Sequence, residues 1–321
     1  ALGGSPFSDP RLQGFATGLA LRPWPEDAGV EQRTLAMQTR DLMVLADKIR
    51  VTLVASLKEY RLTEDCDGKV DVACSEVHGG GVAYTLAPVE ALNYVSAHDN
   101  ETLYDNTVWK MPTGLFLPEE RMRANWLCTS IVALSHGVPF FHAGDEVLRS
   151  KSLDRDSYNS GDWFNMLDFT GQRSAFGVGL PPKQKNGEKW DLMRPLLRDA
   201  TLRPTAEMAA ATTAKFCELL RIRASTPLIG LTEAKDVLEK VDFPGCGAGQ
   251  MPGVIVMQTR NGPAAAGGGL GAQPLCRHLA RVVLVLSSRF EESRVPVPPG
   301  AGAGPGLPLR LHPLQAASED A

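Results

Sequence analysis

The segment from Tyr94 to Leu103, YVSAHDNETL, runs a short apolar stretch directly into an imidazole and a carboxylate, His98 and Asp99. A carboxylate in this position can hold sugar hydroxyls and stabilise the positive charge of an oxocarbenium-like transition state. A neutral histidine beside it can donate a hydrogen bond to the same hydroxyls. The alternative is an Asx-type turn, in which Asp99 and Asn100 only cap the strand end or start the next helix. The His-Asp pair alone favours that alternative.

Two predicted strands place polar residues at the same edge of a sheet. The first is expected over Ala91 to Ser96, and the second over Val138 to Phe141, VPFF, a continuous apolar run typical of a strand buried on both faces. Between them, Pro118 to Leu134 has proline and two acids in its first turn and apolar residues at three- and four-residue steps, which predicts a helix. Gly137 offers a left-handed stop. Strand, helix and strand form a βαβ unit, so HAGDE, from His142 to Glu146, should face the same side as the His-Asp pair.

In the rest of the chain, the sequence pattern changes from one typical of helices to one typical of β-strands. The residues from Val30 to Ile49 predict a helix, and the β-branched run VTLVASL after it predicts a buried strand. Thr63 to Pro88 predicts a long loop or small excursion, and Thr205 to Ala224 predicts a helix. Beyond Thr226, the runs VIVMQT and RVVLVLSS are typical of an antiparallel β domain. The glycine-rich stretches GPAAAGGGLGA and PPGAGAGPGLP are expected to be loops.

Composition argues against several classes of partner. Acidic residues outnumber basic ones, 37 against 33, and the net charge is −4, so nothing suggests the basic face that a nucleic acid needs. No apolar run approaches the roughly 20 residues that span a bilayer, and the first residues, ALGGSPFSDP, lack the pattern of a signal peptide. The six cysteines are scattered without a CxxC pair, which argues against a zinc site or a disulfide framework and favours reduced, mostly buried thiols.

Several stretches of the chain closely resemble one enzyme family. The strings NYVSAHDNETL, GVPFFHAGDEVLRSKSLDRDSYNSGDWFN and GVGLPP are similar to those of the limit dextrinases, the plant-type pullulanases of the α-amylase superfamily that cut α-1,6 branch bonds in starch-derived glucans. The resemblance runs, with gaps, from Gly3 to Gln315 and is weaker in the C-terminal third. It implies an α/β fold, the C-terminal part of a (β/α)8 TIM barrel over residues 1–228 followed by an antiparallel β-sandwich over residues 229–321, truncated at both ends relative to the family.

The resemblance also assigns roles to particular residues. Asp99 matches the family's transition-state-stabilising aspartate and is the expected catalytic residue, while His98 matches the adjacent substrate-binding histidine. Arg155 lies in a loop that resembles the family's donor-side sugar contacts, where the guanidinium fork suits paired sugar oxygens. The alternative is that Arg155 pairs with Asp154 or Asp156 and only folds the loop.

Further substrate-binding residues are implied by the same resemblance. Asp162 belongs to the same loop, and Tyr158 and Trp163 offer planar faces to a sugar ring or, alternatively, pack against the rim of the barrel. Phe7, in GGSPF, resembles an aromatic residue that lines the cleft; the alternative is a loop anchor. Glu188 stands where some members of the family have an aspartate that contacts glucan.

The pair of acids that retaining glycosidases need is missing from the chain. These enzymes use two carboxyl groups about 5 Å apart, one as nucleophile and one as acid/base. In the family they come from motifs that resemble FRFD and GEGW, and neither occurs here. Asp99 is then the third carboxylate of the set. We expect that the 321-residue chain alone neither hydrolyses pullulan nor forms a stable monomer, because a part-barrel exposes unpaired strand edges and apolar helix faces.

The function that the resemblance implies is starch debranching by a glycoside hydrolase. The reaction is hydrolysis of α-1,6-glucosidic linkages in limit dextrins, pullulan and amylopectin-derived glucans by retaining double displacement. The alternative class is a non-catalytic glucan-binding or complex-forming remnant of a debranching enzyme. The expected partner is a branched α-glucan, with no nucleic acid and no membrane; no cofactor and no metal site are identified, calcium in the intact enzyme being left open. Similarity to plant and algal relatives implies a plastid location, and no targeting segment is visible in the chain.

Overall fold

The structure is a computed structural model, and it describes residues 9–30, 33–262, 275–297 and 309–318. The two glycine-rich stretches expected to be loops lie outside the described residues, apart from Gly262.

Helices and short strands alternate along the described part of the chain. The helices are α1 (Leu35–Leu53), α2 (Leu103–Lys110), α3 (Pro118–Leu134), α4 (Asp162–Asn165), α5 (Lys183–Asn186), α6 (Trp190–Arg198), α7 (Ala206–Ser225), α8 (Ala234–Lys240) and α9 (Pro313–Ala316). The strands are β1 (Arg61–Glu64), β2 (Val70–Ala73), β3 (Leu92–Asn93), β4 (Val138–Pro139), β5 (Val241–Asp242), β6 (Val254–Arg260) and β7 (Arg281–Ser287). Among the described residues, none of these helices is long and apolar enough to cross a membrane.

The chain divides into two compact units, and each is built from separated segments. Unit 1 comprises Ala1–Gln38, Tyr94–Ser130 and Phe140–Cys217, and unit 2 comprises Thr39–Asn93, Ile131–Pro139 and Glu218–Ala321. The division therefore falls inside helices α1, α3 and α7.

The core of unit 1 is built around helix α2, which begins at Leu103 just after the His-Asp pair. Thr102 is the N-cap of this helix, because its Oγ1 accepts a hydrogen bond from the backbone N–H of Asp105 at 3.2 Å. The ring of Tyr104 meets Phe176 edge to face, with 6.4 Å between centroids. The buried cluster comprises Tyr104, Val108, Trp109, Met122, Leu148, Leu153, Phe176, Met193 and Leu202. This packing fixes the start of α2 and so constrains the segment that precedes it.

Unit 2 holds all the strands of the described chain, in three small sheets. Strands β1 and β2 form an antiparallel hairpin, β3 and β4 pair in parallel, and β5, β6 and β7 form an antiparallel sheet with β6 in the centre. The antiparallel sheet confirms the antiparallel β-strands predicted beyond Thr226. The β3–β4 pair confirms that the strands before and after helix α3 are parallel.

Helix α3 begins at Pro118, as the sequence predicts, because proline, acids and apolar spacing all favour the same segment, and it ends at Leu134. Gly137 follows it with a φ of +91°, the left-handed stop that was predicted. In unit 2, the guanidinium of Arg223 donates to the carbonyl oxygens of Ala133, Ser135 and Gly137 at 2.8, 2.7 and 2.8 Å. A cation at the carbonyl end of a helix is favoured by the helix dipole.

The prediction of a strand at VTLVASL is wrong. The residues Val51 to Leu53 complete helix α1, and Ala55 and Ser56 end it with left-handed φ values of 59° and 54°. Only Leu57 is strand-like, in an isolated parallel bridge to Thr85. The apolar stripe of the helix continues into the run, so packing outweighs the β preference of branched residues. The buried stripe is Leu42, Ala46, Ile49 and Leu53.

The prediction that VPFF is buried on both faces is also wrong. Strand β4 is only two residues long, and Val138 and Phe140 are 43% and 45% exposed. Within the described residues, the β3–β4 sheet has two strands, so each strand has a partner on one side only. The strand predicted over Ala91 to Ser96 is likewise reduced to Leu92–Asn93, and Leu92 and the Tyr94 that follows it are 48% and 58% exposed.

Candidate functional site

His98 and Asp99 lie in the bend between strand β3 and helix α2, and both are exposed. The carboxylate of Asp99 has no hydrogen bond or ion pair with any other described residue. The cap of α2 is supplied by Thr102 instead, so Asp99 does not play the capping role that the Asx-turn alternative requires. Within the part of the chain that the structure describes, no side chain occupies the hydrogen-bonding positions of this carboxylate.

The backbone on both sides of Asp99 is held by Lys151. This side chain is buried, and its ammonium donates to the carbonyl oxygen of Asn100 at 2.5 Å and to that of His98 at 3.5 Å. Asn100 has a left-handed φ of 57°, a conformation that a non-glycine residue adopts at a cost and that these hydrogen bonds stabilise. Sequence reasoning missed Lys151, because a lysine in a polar loop carries no mark of burial.

A buried carboxylate, Asp105, supports the same lysine. It accepts hydrogen bonds from the hydroxyl of Ser150 at 2.6 Å and from the backbone N–H of Lys151 at 2.7 Å. Burial raises the pKa of Asp105 to about 6, although these hydrogen bonds act in the opposite direction. Burial lowers the pKa of Lys151, and the charge of Asp105 opposes that shift.

The segments that follow strands β3 and β4 are joined through Ser96 and Asp145. The Ser96 hydroxyl lies 2.9 and 2.7 Å from the two carboxylate oxygens of Asp145, to which it donates. Burial raises the pKa of Asp145 to about 7, the hydrogen bond from Ser96 lowers it, and the charge of Glu146 raises it further. The polar ends of the two predicted strands therefore meet, as the βαβ pattern predicted.

His142 and Glu146 serve local structure in this segment. The Nε2 atom of His142 lies 3.3 Å from the guanidinium of Arg149. Burial, and then the charge of Arg149, lower the pKa of His142 to about 4, so the imidazole is neutral near pH 7 and can accept from the guanidinium. The carboxylate of Glu146 accepts a hydrogen bond from the backbone N–H of Gly144 at 2.8 Å.

The loop that contains Arg155 is organised by its buried neighbour Asp154. The carboxylate of Asp154 accepts hydrogen bonds from Ser160 Oγ at 2.5 Å, Asn186 Nδ2 at 2.9 Å and the backbone N–H of Asp156 at 3.0 Å. The carboxylate of Asp156 forms an ion pair with a lysine of helix α5 at 3.1 Å. The hydrogen bond from that lysine and, to a smaller extent, the charge of Arg155 lower the pKa of Asp156, so Arg155 also interacts with an acid of its own loop.

Two aromatic residues of this loop are displayed on the surface. Tyr158 is 92% exposed and Trp163 is 62% exposed. The indole lies against Gly161, because a Cβ atom at that glycine would come within 2.7 to 2.9 Å of three indole atoms. The neighbouring Asp162 is exposed and is the first residue of helix α4. Neither aromatic ring is buried in the core, which leaves both available as flat apolar surfaces.

The remaining predicted residues are less tightly placed. Glu188 is exposed in a 3₁₀ turn, and Phe7 lies outside the described residues. Beside Glu188, the pKa of Lys189 is lowered first by burial, raised by the charge of Glu101 and lowered by that of Arg155. The ammonium of Lys189 therefore interacts electrostatically with Glu101, in the segment after Asp99, and with Arg155 in its loop.

Comparison with known proteins identifies relatives along almost the whole chain. Residues 171–321 match the family described as "Alpha-1,6-glucosidases, pullulanase-type, C-terminal". The chain is 45% identical over 324 residues to chloroplastic Pullulanase 1 of Arabidopsis thaliana, which covers 99% of this chain and 32% of the relative. It is 36% identical over 235 residues to a pullulanase of Klebsiella aerogenes, covering 73% of this chain and 21% of the relative.

The solved structures that match this chain are also pullulanases. The apo pullulanase of Klebsiella pneumoniae matches with a TM-score of 0.79 and 32% identity, over 90% of this chain and 30% of that chain. Its complex with maltotriose matches equally well. The chain belongs to the pullulanase-type α-1,6-glucosidases, as its motifs predicted. These individual relatives are all named pullulanases, and the chain spans between a fifth and a third of the length of the two curated ones.

Proposed function

We propose that this chain is part of an enzyme that hydrolyses α-1,6 branch linkages in limit dextrins, pullulan and amylopectin-derived glucans. The observation that carries the proposal is the Asp99 carboxylate, which is exposed, has no partner among the described residues and stands on a backbone fixed by Lys151. A negative charge that no described residue neutralises, on a rigid support, is suited to stabilising a developing cation.

The architecture that we propose is the later part of a (β/α)8 barrel over residues 1–228 and a β-sandwich over residues 229–321. The parallel pairing of β3 with β4, with helices α2 and α3 between them in the chain, supports the barrel. The antiparallel strands β5, β6 and β7 all lie beyond residue 228, which supports a separate β domain.

The proposed chemistry is a double displacement with retention. A carboxylate nucleophile attacks the anomeric carbon, the bond from that carbon to O6 of the branch point breaks, and an acid protonates O6. Water, deprotonated by the same acid/base, then displaces the carboxylate. The motifs that supply those two groups in the family do not occur in these 321 residues. Asp99 contributes negative charge beside the anomeric carbon as it becomes cationic in each step, and His98 donates to a sugar hydroxyl.

The contacts to the rest of the glucan are proposed to come from the loops near Asp99. Arg155 and Asp162 hydrogen-bond sugar hydroxyls, and Tyr158 and Trp163 stack on sugar rings. Glu188 and Phe7 complete the set of proposed contacts. The maltotriose complex of the Klebsiella pneumoniae relative supports a glucan ligand, and the chloroplastic relative supports a plastid location.

Pullulan turnover separates this proposal from a non-catalytic glucan-binding protein. We expect a longer protein that contains this chain and the two acid motifs to release reducing ends from pullulan, with the α anomer formed first by NMR. The 321-residue chain alone should release none. If the longer protein binds pullulan but does not cleave it, the enzyme hypothesis is wrong and the hypothesis of a non-catalytic glucan-binding protein is favoured.

A further inference from the structure

A buried acid, a thiol and an imidazole converge in unit 2. Asp47 comes from helix α1, Cys66 from the turn between β1 and β2, and His78 from a 3₁₀ turn after β2. Their carboxylate oxygen, Sγ and ring nitrogen lie within 4.8 Å of one another. Asp47 is fully buried, and Cys66 and the side chain of His78 are each 8% exposed. Carboxylate, thiolate and imidazole are the ligand types of zinc.

The separations within this cluster approach those of a tetrahedral ion. Zinc with a Zn–S bond of about 2.3 Å and a Zn–N bond of about 2.1 Å holds sulfur and nitrogen roughly 3.6 Å apart, and Cys66 Sγ lies 3.6 Å from His78 Nε2. Asp47 Oδ2 lies 2.8 Å from the same nitrogen, closer than the roughly 3.4 Å that the geometry requires. A zinc ion would therefore replace that hydrogen bond and push the imidazole slightly outward.

The neighbouring residues are suited to a bound cation, because they can orient the His78 ring and supply negative charge. Asp67 Oδ2 lies 3.7 Å from His78 Nδ1, where a carboxylate can orient the ring and stabilise a proton on Nδ1. Asp47 already pairs with buried Arg50 at 2.6 Å, so those two charges cancel. A divalent cation would then be balanced by the Cys66 thiolate and in part by Asp67, whose carboxylate also pairs with exposed Arg40 at 2.9 Å.

We propose that Asp47, Cys66 and His78 bind one Zn²⁺ ion, with a water molecule in the fourth position. On binding, the thiol proton of Cys66 passes to solvent, and the ring proton of His78 resides on Nδ1, which leaves Sγ and Nε2 to form bonds to zinc. The ion joins helix α1 to the β1–β2 hairpin and the turn that follows it. The cysteine spacing did not reveal this set, because the acid lies 19 residues before Cys66 and the imidazole 12 residues after it.

Metal binding by the purified protein that carries this chain tests the proposal. After treatment with a chelator, we expect one Zn²⁺ per chain by equilibrium dialysis and elemental analysis, and Co²⁺ should give a thiolate-to-cobalt absorption band. Cys66→Ser and His78→Gln should each weaken binding by at least about tenfold and Cys66→Ser should abolish the band. Cys74→Ser, which alters another buried thiol of the same hairpin region, should change neither.

Alkylation of the unsubstituted protein covers the case in which a variant fails to fold. We expect Zn²⁺ to slow the alkylation of Cys66 and to leave that of the half-buried Cys217 unchanged, as measured by peptide mass spectrometry. The proposal is overturned if the protein binds no stoichiometric metal, if Cys66→Ser binds cobalt with the same band, or if Zn²⁺ gives Cys66 no protection.

Discussion

The ammonium of Lys151 lies 2.5 Å from the carbonyl oxygen of Asn100, so a buried cation fixes the residue that follows Asp99. A hydrogen bond from a charged donor is stronger than a neutral one, and burial strengthens it further. Because the Asp99 side chain has no partner among the described residues, its position depends on the backbone beneath it. Lys151 is a positioning residue for that backbone.

Replacing Lys151 by methionine should loosen the segment around Asp99. The change removes the donor to the carbonyl oxygens of His98 and Asn100, so we expect faster amide hydrogen exchange in residues 98–102 and a turnover number lowered by about 10- to 100-fold. The control is Lys110→Met, since the buried ammonium of Lys110 donates to the carbonyl oxygens of Pro10 and Leu12 instead. Unchanged exchange in residues 98–102 of the Lys151 variant would show that other contacts hold the segment.

Stability should depend on pH through Asp145. Its pKa is about 7 in the folded chain, against an ordinary value of 3.8, so the folded state binds more protons than the unfolded state between these values. The free energy of unfolding should therefore fall as pH rises from about 4 to about 7, by roughly 2–4 kcal/mol from this group.

Asp145→Asn removes that titration, so the free energy of unfolding of the variant should fall less, or rise more, with pH across the range than that of the unsubstituted protein, measured as urea midpoints. Asp105, with a pKa of about 6, acts in the same direction, whereas His142 and His136, whose pKa values burial lowers to about 4 and about 3, act in the opposite direction. Asp191→Asn, at an exposed position in α6, should keep the full slope. An Asp145 variant with the slope of the unsubstituted protein would show that this carboxyl does not titrate in the predicted range.

Glucan affinity should depend on the exposed indole of Trp163. We expect Trp163→Ala to weaken maltotriose binding by about tenfold, measured by calorimetry, because it removes a stacking surface. Phe169→Ala is the matched control, since Phe169 is 70% exposed and has no proposed contact with glucan. Equal losses in the two variants would argue against a specific role for Trp163.

The end of helix α3 should depend on Arg223 for stability. Removing its guanidinium in Arg223→Met leaves three carbonyl oxygens without their donor, so we expect the free energy of unfolding to fall by about 2–4 kcal/mol. Arg221→Met, on an exposed position of the same helix, should change it by less than about 0.5 kcal/mol. Similar urea midpoints for the two variants would contradict this account of the helix terminus.

The sequence predicts elements whose local signals agree with their packing. Helix α3 and its start at Pro118 were predicted correctly because its proline, its acids and its apolar spacing all favour a helix. The run VTLVASL failed because its local signal, β-branched residues, conflicts with a buried stripe that began in the preceding helix. The burial of VPFF failed because the number of strands in a sheet is a property of the whole fold.

The candidate site could be predicted only in part for the same reason. The types of His98 and Asp99 suggest chemistry, but their proposed roles came from the resemblance of whole motifs. Ser96, Asp145 and Lys151 support them through contacts between residues some 50 positions apart, which no short pattern encodes. The sequence does not show whether a given lysine is exposed to solvent or buried against carbonyl oxygens.

The catalytic role of Asp99 is tested most directly by the turnover number of Asp99→Asn on pullulan, in the full protein that carries this chain. The substitution keeps the size of the side chain and removes its charge, so we predict a loss of about 100- to 1000-fold, with Asp191→Asn unchanged and both variants folded by circular dichroism. Turnover within about twofold of the unsubstituted protein would contradict the account, because the negative charge beside the anomeric carbon would then be dispensable.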